Sequence, residues 1–182
     1  MGPTHRVTKA EANIVYEIDG RPSMEVFRDY WSEGVPGVLG QFPLAVLDDE
    51  SPDGFYLRAV FETHPDEGHA VFAAEVPEGA EVRITEVLRS GILAGSVDAV
   101  RNAVKGFPDS ATPSVALVFS CAARKWQLGT RVAEEVSVLT EELPEGVRTA
   151  GFYCFGEIGP LTRSGTTRFH NETCVTLLLG AG

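Results

Sequence analysis

Cysteine is scarce in this chain. There are three, Cys121, Cys154 and Cys174, and none forms a CxxC pair. That excludes a zinc-ribbon or thioredoxin-like site. An odd number at irregular spacing fits free thiols in a reducing cytosol better than a disulfide framework. Basic residues are also few, 15 against 26 acids, for a net charge of −11. Such a surface repels phosphate backbones and anionic lipid headgroups, so no nucleic-acid partner is expected. No apolar run approaches the ~20 residues of a membrane helix, so no membrane insertion is expected either. The opening MGPTHRVTKAEAN lacks the apolar core of a secretory signal. There is no internal repeat and no low-complexity stretch.

Several cofactor and metal motifs are missing as well. The glycines from Gly34 to Gly40 form neither GxGxxG nor GxxxxGK[ST], so a nucleotide loop finds no support. Asp49 to Gly54 resembles the start of a calcium loop, but its twelfth position is Val60, where a bidentate glutamate is needed. We read it as a turn. His64-Pro-Asp66-Glu67-Gly-His69 gathers two imidazoles and two carboxylates without matching HExxH. A hairpin loop is not expected to fix the two rings together, so no metal and no cofactor are assigned.

What is present is an ordinary globular composition. The 182 residues are 43% hydrophobic and 23% charged, enough for a substantial core. Arg6 to Ile18 reads as a hairpin or bent strand turning at Ala12-Asn13 and ending at Asp19-Gly20. Ser23 caps a short helix with Val26, Phe27, Tyr30 and Trp31 on one face, before the loop at Gly34 to Gly40. Phe42 to Leu47, Phe55 to Glu62, His69 to Glu75 and Val82 to Leu88 read as an antiparallel meander, with turns at Pro52-Asp53-Gly54, His64 to Gly68 and Pro77 to Gly79.

The period then changes. Leu93, Val97, Val100, Val104 and Phe107 are spaced as one helix face, with Ser96 as N-cap and Pro108 as stop. Val115 to Cys121 is a nearly continuous apolar run, expected to be a central strand covered on both faces. Leu128, Val132, Val136, Leu139 and Leu143 mark a second helix ended by Pro144. Val147 to Phe155 and Thr166 to Leu179 are the last strands. The whole reads as α+β, a mixed and mostly antiparallel sheet with about three helices packed on it.

Three segments carry chemistry. Ser120-Cys121-Ala-Ala-Arg124 joins the buried strand to the second helix, and the amides of Leu128 to Arg131 would open that helix as an anion site beside Arg124. Gly151 to Pro160 (GFYCFGEIGP) is a strand broken by glycines, with Glu157 placed to bind an ammonium group. Phe169-His170-Asn171-Glu172-Thr173 offers an imidazole and polar contacts. Arg124 on a carboxylate and Glu157 on an amine would suit a zwitterion. Cys121 follows an apolar run, which favours a buried, inert thiol.

In this order SCAAR (120–124), GFYCFGEIGPL (151–161) and HNETCVTLLLG (170–180), with the opening YEIDGRPSMEVFRDY (16–30), resemble the C-terminal half of the FIST family. The resemblance implies residues 1–15 as an N-terminal strand or linker and 16–182 as a FIST C-terminal-like domain. It implies a cytoplasmic sensory module of intracellular signalling that binds small ligands, amino acids or other small carboxylates, and not an enzyme. The matching ligand-binding positions are Cys121, Arg124, Tyr153, Gly156, Glu157, Asn171 and Thr173. The family's N-terminal half does not appear here. The expected partners are therefore a small-molecule ligand and an N-terminal-like half, a signalling partner or a second copy, joined through an uncovered edge at Thr4 to Ile18. The alternatives are a cysteine-dependent enzyme using Cys121 and His170, and a protein-interaction module.

Overall fold

The computed structural model describes residues 2–30, 40–161 and 165–181. Trp31 and most of the Gly34–Gly40 loop lie outside the described residues. The chain divides into two compact units. The first holds residues 1–87 with 170–172, and the second holds 88–169 with 173–182.

In the first unit the strands are β1 (His5–Glu11), β2 (Ile14–Ile18), β3 (Arg21–Pro22), β4 (Leu44–Leu47), β5 (Phe55–Arg58), β6 (Val60–His64), β7 (His69–Phe72) and β8 (Glu81–Ile84), with helix α1 (Ser23–Arg28). They form one antiparallel sheet in the order β5-β4-β8-β1-β2-β7-β6, with β3 on β2. The two ends of that path, β5 and β6, are separated in sequence only by Ala59. A sheet whose first and last strands are consecutive must curl until its ends approach.

The inside of the curl is filled by Val7, Val15, Ile18, Leu44, Val46, Val60, Phe72 and Val82. Helix α1 adds Met24, Val26 and Phe27, each at most 2% exposed. Ser23 opens this helix, but its hydroxyl donates to the Val15 carbonyl at 2.6 Å, while Pro22 holds the cap position. The turns fall where the sequence placed them. Ala12 and Asp19 take positive φ, as do Gly54, Gly68 and Gly79. The Asp49–Gly54 segment is a turn closed by main-chain bonds from Asp48 to Gly54.

Two expectations change here. The middle strands are not a simple meander, because β8 leaves β7 to pair with β4 and β1. Nor is β1 an uncovered edge, because β8 and β2 flank it on both sides. The geometry expected for docking through Thr4–Ile18 is therefore absent, since those main-chain groups are spent inside the sheet.

The second unit holds α2 (Arg89–Gly106), β9 (Thr112–Cys121), α3 (Ala122–Leu128), a 3-10 turn (Gly129–Arg131), α4 (Val132–Glu141), β10 (Arg148–Cys154), β11 (Glu157–Gly159), β12 (Arg168–His170, whose last residue groups with the first unit) and β13 (Cys174–Ala181). β9 is central, parallel to β10 and antiparallel to β13, while β11 and β12 make a separate pair. The last strand expected over 166–179 is thus two strands, parted where Glu172 takes a positive φ.

Helices α2 and α4 pack together, and α2 lies on β13. Val100, Val118 and Leu139 form their shared core. Ser96 is not a cap. The helix begins at Arg89, and its buried stripe is Ile92, Ser96 and Val100. β9 is covered on one face only. Ala116, Val118 and Ser120 are buried, while Val115, Leu117 and Phe119 are half-buried. On that second face Phe152, Leu177 and Leu179 stay 63%, 48% and 46% exposed. Among the described residues no helix is long and apolar enough to cross a membrane.

Glycine separates tight from open places in this unit. A Cβ at Gly151 would fall 1.9 Å from the Val118 carbonyl oxygen, whereas one at Gly91, in the first turn of α2, meets nothing within 4 Å. Gly151→Ala is expected to lower stability by about 1–3 kcal/mol through forced overpacking. Gly91→Ala is expected to raise it by about 0.5–1 kcal/mol by removing backbone freedom from the unfolded chain. Urea denaturation of the two variants measures both signs.

Candidate functional site

The sequence-derived candidates cluster at the C-terminal ends of β9 and β10. Strand alternation decides which can meet, because successive side chains point to opposite faces. Register pairs Ser120 with Tyr153 and with Cys174, and Cys121 with Cys154. The Ser120 face and the Cys121 face therefore carry two different groups.

On the Ser120 face lies a buried ion pair. Helix α3 starts immediately after Cys121, so Arg124 sits in its first turn, not in a loop ahead of a helix at Leu128. Residues 129–131 continue as a 3-10 turn, and the Gly129 amide is bonded to the Lys125 carbonyl. Arg124 Nη2 donates to Glu135 Oε1 at 2.8 Å and to the Ile92 carbonyl at 2.9 Å, and it also reaches Ser96 Oγ. Arg124 Nε donates to Ser120 Oγ and to Glu135 Oε1, both at 3.1 Å. Glu135 Oε1 also accepts from Ser96 at 2.8 Å and from Ser120 at 3.1 Å, and its Oε2 takes the Tyr153 hydroxyl at 2.6 Å. Arg124 is 5% exposed and Glu135 fully buried.

Burial acts to raise the Glu135 pKa. The Arg124 guanidinium and the Tyr153 and Ser96 hydroxyls outweigh it and hold the carboxyl below its ordinary value. The Tyr153 phenol is pushed up, first by burial and then by Glu135. Lys125 places its ammonium 5.4 Å from the Tyr153 ring centre.

On the Cys121 face lies Glu157, the first residue of β11 and 2% exposed. Its Oε2 accepts from Thr173 Oγ1 at 2.9 Å and from the Thr173 amide at 3.3 Å, and its Oε1 takes the Cys154 thiol at 3.4 Å. The Cys121 thiol, 3% exposed, also donates to it. All of these donors are neutral. Burial dominates them, and the carboxyl is raised above its ordinary value.

Gly156 precedes this residue because a Cβ there would strike the Phe169 ring at 2.0 Å. Burial also raises the Cys154 thiol, and it lifts Cys174 to about 11. These are the reverse of the shifts that activate a thiol nucleophile.

Five of the seven candidates, Cys121, Arg124, Tyr153, Glu157 and Thr173, gather around the ends of β9 and β10, and Gly156 shapes the chain between them. Asn171 groups with the first unit. There it is fully buried, its Oδ1 accepting from the Ala59 amide at 3.4 Å. His170 lies in the same segment. The zwitterion clamp is not assembled, because Arg124 has its carboxylate partner within the chain and lies on the face opposite Glu157.

Sequence reasoning missed Glu135 and Ser96. The signal was there. Glu135 falls three residues after Val132 and four before Leu139, on the apolar stripe of its helix, and Ser96 lies midway between Ile92 and Val100. A polar residue at a core position of a periodic stripe calls for a buried partner.

A family model, the FIST C domain, matches residues 23–160, about three quarters of the chain. The chain belongs to the FIST C domain family. FIST C is a sensory-type domain of signal transduction. The match takes in both carboxylate networks except Thr173, and it ends before Asn171 and β13. Neither the curated proteins nor the solved structures yield a match.

The two carboxylates of this FIST C domain have opposite pH signatures. Glu135 is depressed, so its contribution to stability is present above its ordinary value of 4.5 and lost as pH falls through its lower folded pKa. Glu157 is raised, so its contribution is present below 4.5 and lost as pH rises through its higher folded pKa. Mild acidification toward 4.5 should stabilise the wild type, and Glu157→Gln should remove that gain. Glu135→Ala should cost about 3–5 kcal/mol at neutral pH by leaving Arg124 buried and unpaired. The double change Arg124→Met, Glu135→Leu should recover only part of this, since Ser96, Ser120 and Tyr153 lose their acceptor. Chemical denaturation across a pH series checks all three.

Proposed function

We propose that this domain is the small-ligand binding module of an intracellular signalling system, and that Glu157 receives the amine of an amino acid or related small amine. The observation that carries this reading is the electrostatic state of Glu157. It is a buried carboxylate whose donors are two thiols, one hydroxyl and one main-chain amide, with no charge of opposite sign among them. A ligand ammonium would supply that charge and offset the cost of burial. Thr173, Cys121 and the chain around Gly156 shape this end of the site.

Arg124 acts at one remove. Through Glu135 it fixes the Tyr153 hydroxyl, and so the position of β10. The ligand's carboxylate is therefore not assigned to Arg124, and removal of Arg124 perturbs the fold instead of only the ligand.

A second reading draws on a different observation. Phe152, Leu177 and Leu179 stand exposed on the face of β9, β10 and β13 that the helices leave open. An apolar sheet face of this kind supports a partner surface, for an N-terminal-like half or a second copy. The burial of Cys121, 3% exposed, counts against the cysteine-enzyme alternative.

The test is a thermal-shift panel of amino acids, small amines and amine-free carboxylates. Amines and amino acids should stabilise the wild type, by about 2.7 kcal/mol at 100 times Kd, and carboxylates alone should not. Glu157→Gln should lose the effect. Affinity should fall as pH is lowered through the raised Glu157 pKa, because only the ionised form pairs with an ammonium. Stabilisation by amine-free carboxylates alone would overturn the assignment to Glu157. No stabilisation by any member of the panel would leave the partner-surface reading as the better one.

A further inference from the structure

The hairpin of β6 and β7 does what a hairpin loop was not expected to do. His64 ends β6 and His69 begins β7, and the ladder pairs them directly. The turn between them is closed by the amides of Glu67 and Gly68, both on the His64 carbonyl, at 3.2 and 2.8 Å, with Gly68 at a φ of 79°. The two residues are thus held opposite each other by the main-chain ladder and its turn. Their ring centres lie 4.5 Å apart with planes inclined at 16°.

Glu67, from the turn, faces both rings. Its Oε1 is 3.8 Å from His64 Nδ1, and its Oε2 is 3.8 Å from His69 Nδ1. One ligand atom from each of His64, Glu67 and His69 falls within 4.8 Å of the others.

These separations are long for hydrogen bonds. They are also wider than a bound ion would impose, and side-chain rotation is what brings them in. Bonds of about 2.0–2.1 Å at a tetrahedral angle place two ligand atoms roughly 3.3 Å apart. Closing the set takes a contraction of about 0.5 Å between Glu67 and each ring and up to about 1.5 Å across the widest pair, with the exposed Glu67 swinging in and the stacked rings tilting so that their Nδ1 lone pairs converge.

A separate observation points the same way. The other nitrogen of His64, Nε2, is 3.3 Å from Glu62 Oε1. A carboxylate on the far nitrogen of a metal-bound histidine fixes its tautomer and raises its basicity, and it is a recurrent feature of metal sites. His69 is steadied by Tyr16, with ring centres 5.4 Å apart. The His69 side chain is 12% exposed and that of His64 31%, while Glu67 stands 69% exposed, so the fourth position opens to water.

We propose that His64, His69 and Glu67 form a site for a single divalent transition ion, of which Zn²⁺ is the natural occupant, with Glu62 as the carboxylate that orients His64. Two imidazoles and one carboxylate suit zinc, and two nitrogen donors disfavour calcium and magnesium. The chain's net charge of −11 raises the local concentration of cations. Bound there, the ion crosslinks the last two strands of the first sheet across their turn. The site is independent of Glu157.

The test is calorimetric titration of the full chain with Zn²⁺, with Mg²⁺ as control. One Zn²⁺ should bind per chain and Mg²⁺ should not. His64→Ala and His69→Ala should each abolish that binding, and Glu62→Gln should weaken it about tenfold. Because zinc also has affinity for thiols, the wild type is followed in parallel by NMR of the histidine rings. His64 and His69 should shift together and saturate at one equivalent, while His5 and His170 stay in place. Stoichiometric binding that survives in the doubly substituted His64→Ala, His69→Ala chain would overturn the proposal. So would shifts confined to His5 or His170, or the lack of any saturable Zn²⁺ binding in the wild type.

Discussion

The second unit is organised around the burial of one carboxylate. Glu135 has no exposure to water, and an ionised carboxylate removed from water costs several kcal/mol even after relaxation. That cost is tolerable only if a cation and enough donors are delivered to it. Arg124 brings the cation, and Ser96, Ser120 and Tyr153 bring the hydroxyls. Those residues come from α2, β9, α3 and β10, so one demand for solvation fixes four elements. It also explains why α3 starts without a loop. Arg124 has to leave the first turn pointing back along β9 to reach Ser120, four residues earlier.

Glu157 is the counterpart on the other face of the same strands. Its burial resembles that of Glu135, but its solvation differs, since thiols, a hydroxyl and an amide replace a guanidinium. The consequence is opposite pKa displacement in two carboxylates whose partners on β9, Ser120 and Cys121, are neighbours. A fully paired carboxylate has little left to offer a ligand, and one whose donors among the described residues are all neutral retains a preference for positive charge. For that reason function is assigned to Glu157 and architecture to Glu135, although burial alone does not separate them.

Much of the fold was legible because its turns are chemically explicit. Asp19-Gly20, Pro52-Asp53-Gly54 and His64 to Gly68 each hold a glycine at positive φ, and the strands between them follow. The helix at 89–106 was found from its period, yet its face was misjudged by one residue. Ile92 and Leu93 are adjacent apolar residues, and choosing Leu93 turned Ser96 from a core position into a cap. The strand at 112–121 was read as covered on both faces because Val115, Leu117 and Phe119 are as apolar as their buried neighbours. Sequence does not record that they stay only half-buried. The candidate site was legible as a set of segments, but the split of Arg124 from Glu157 depends on strand parity, and a continuous apolar run does not mark parity.

The same dependence on pairing works in reverse in the first unit. His64 and His69 match no metal motif, because motifs of the HExxH kind encode the period of a helix, where residues four apart share a face. In a hairpin the neighbour relation is set by the turn instead. The number of turn residues determines which positions lie opposite, and the distance along the chain carries no fixed meaning. Here the turn 65–68 makes His64 and His69 a cross-strand pair and leaves Glu67 beside both. Glu62, two residues before His64 on β6, then lies on the same strand face and meets the far side of the ring. Four residues within eight positions thus converge through the alternation of a single strand and the closure of a single turn.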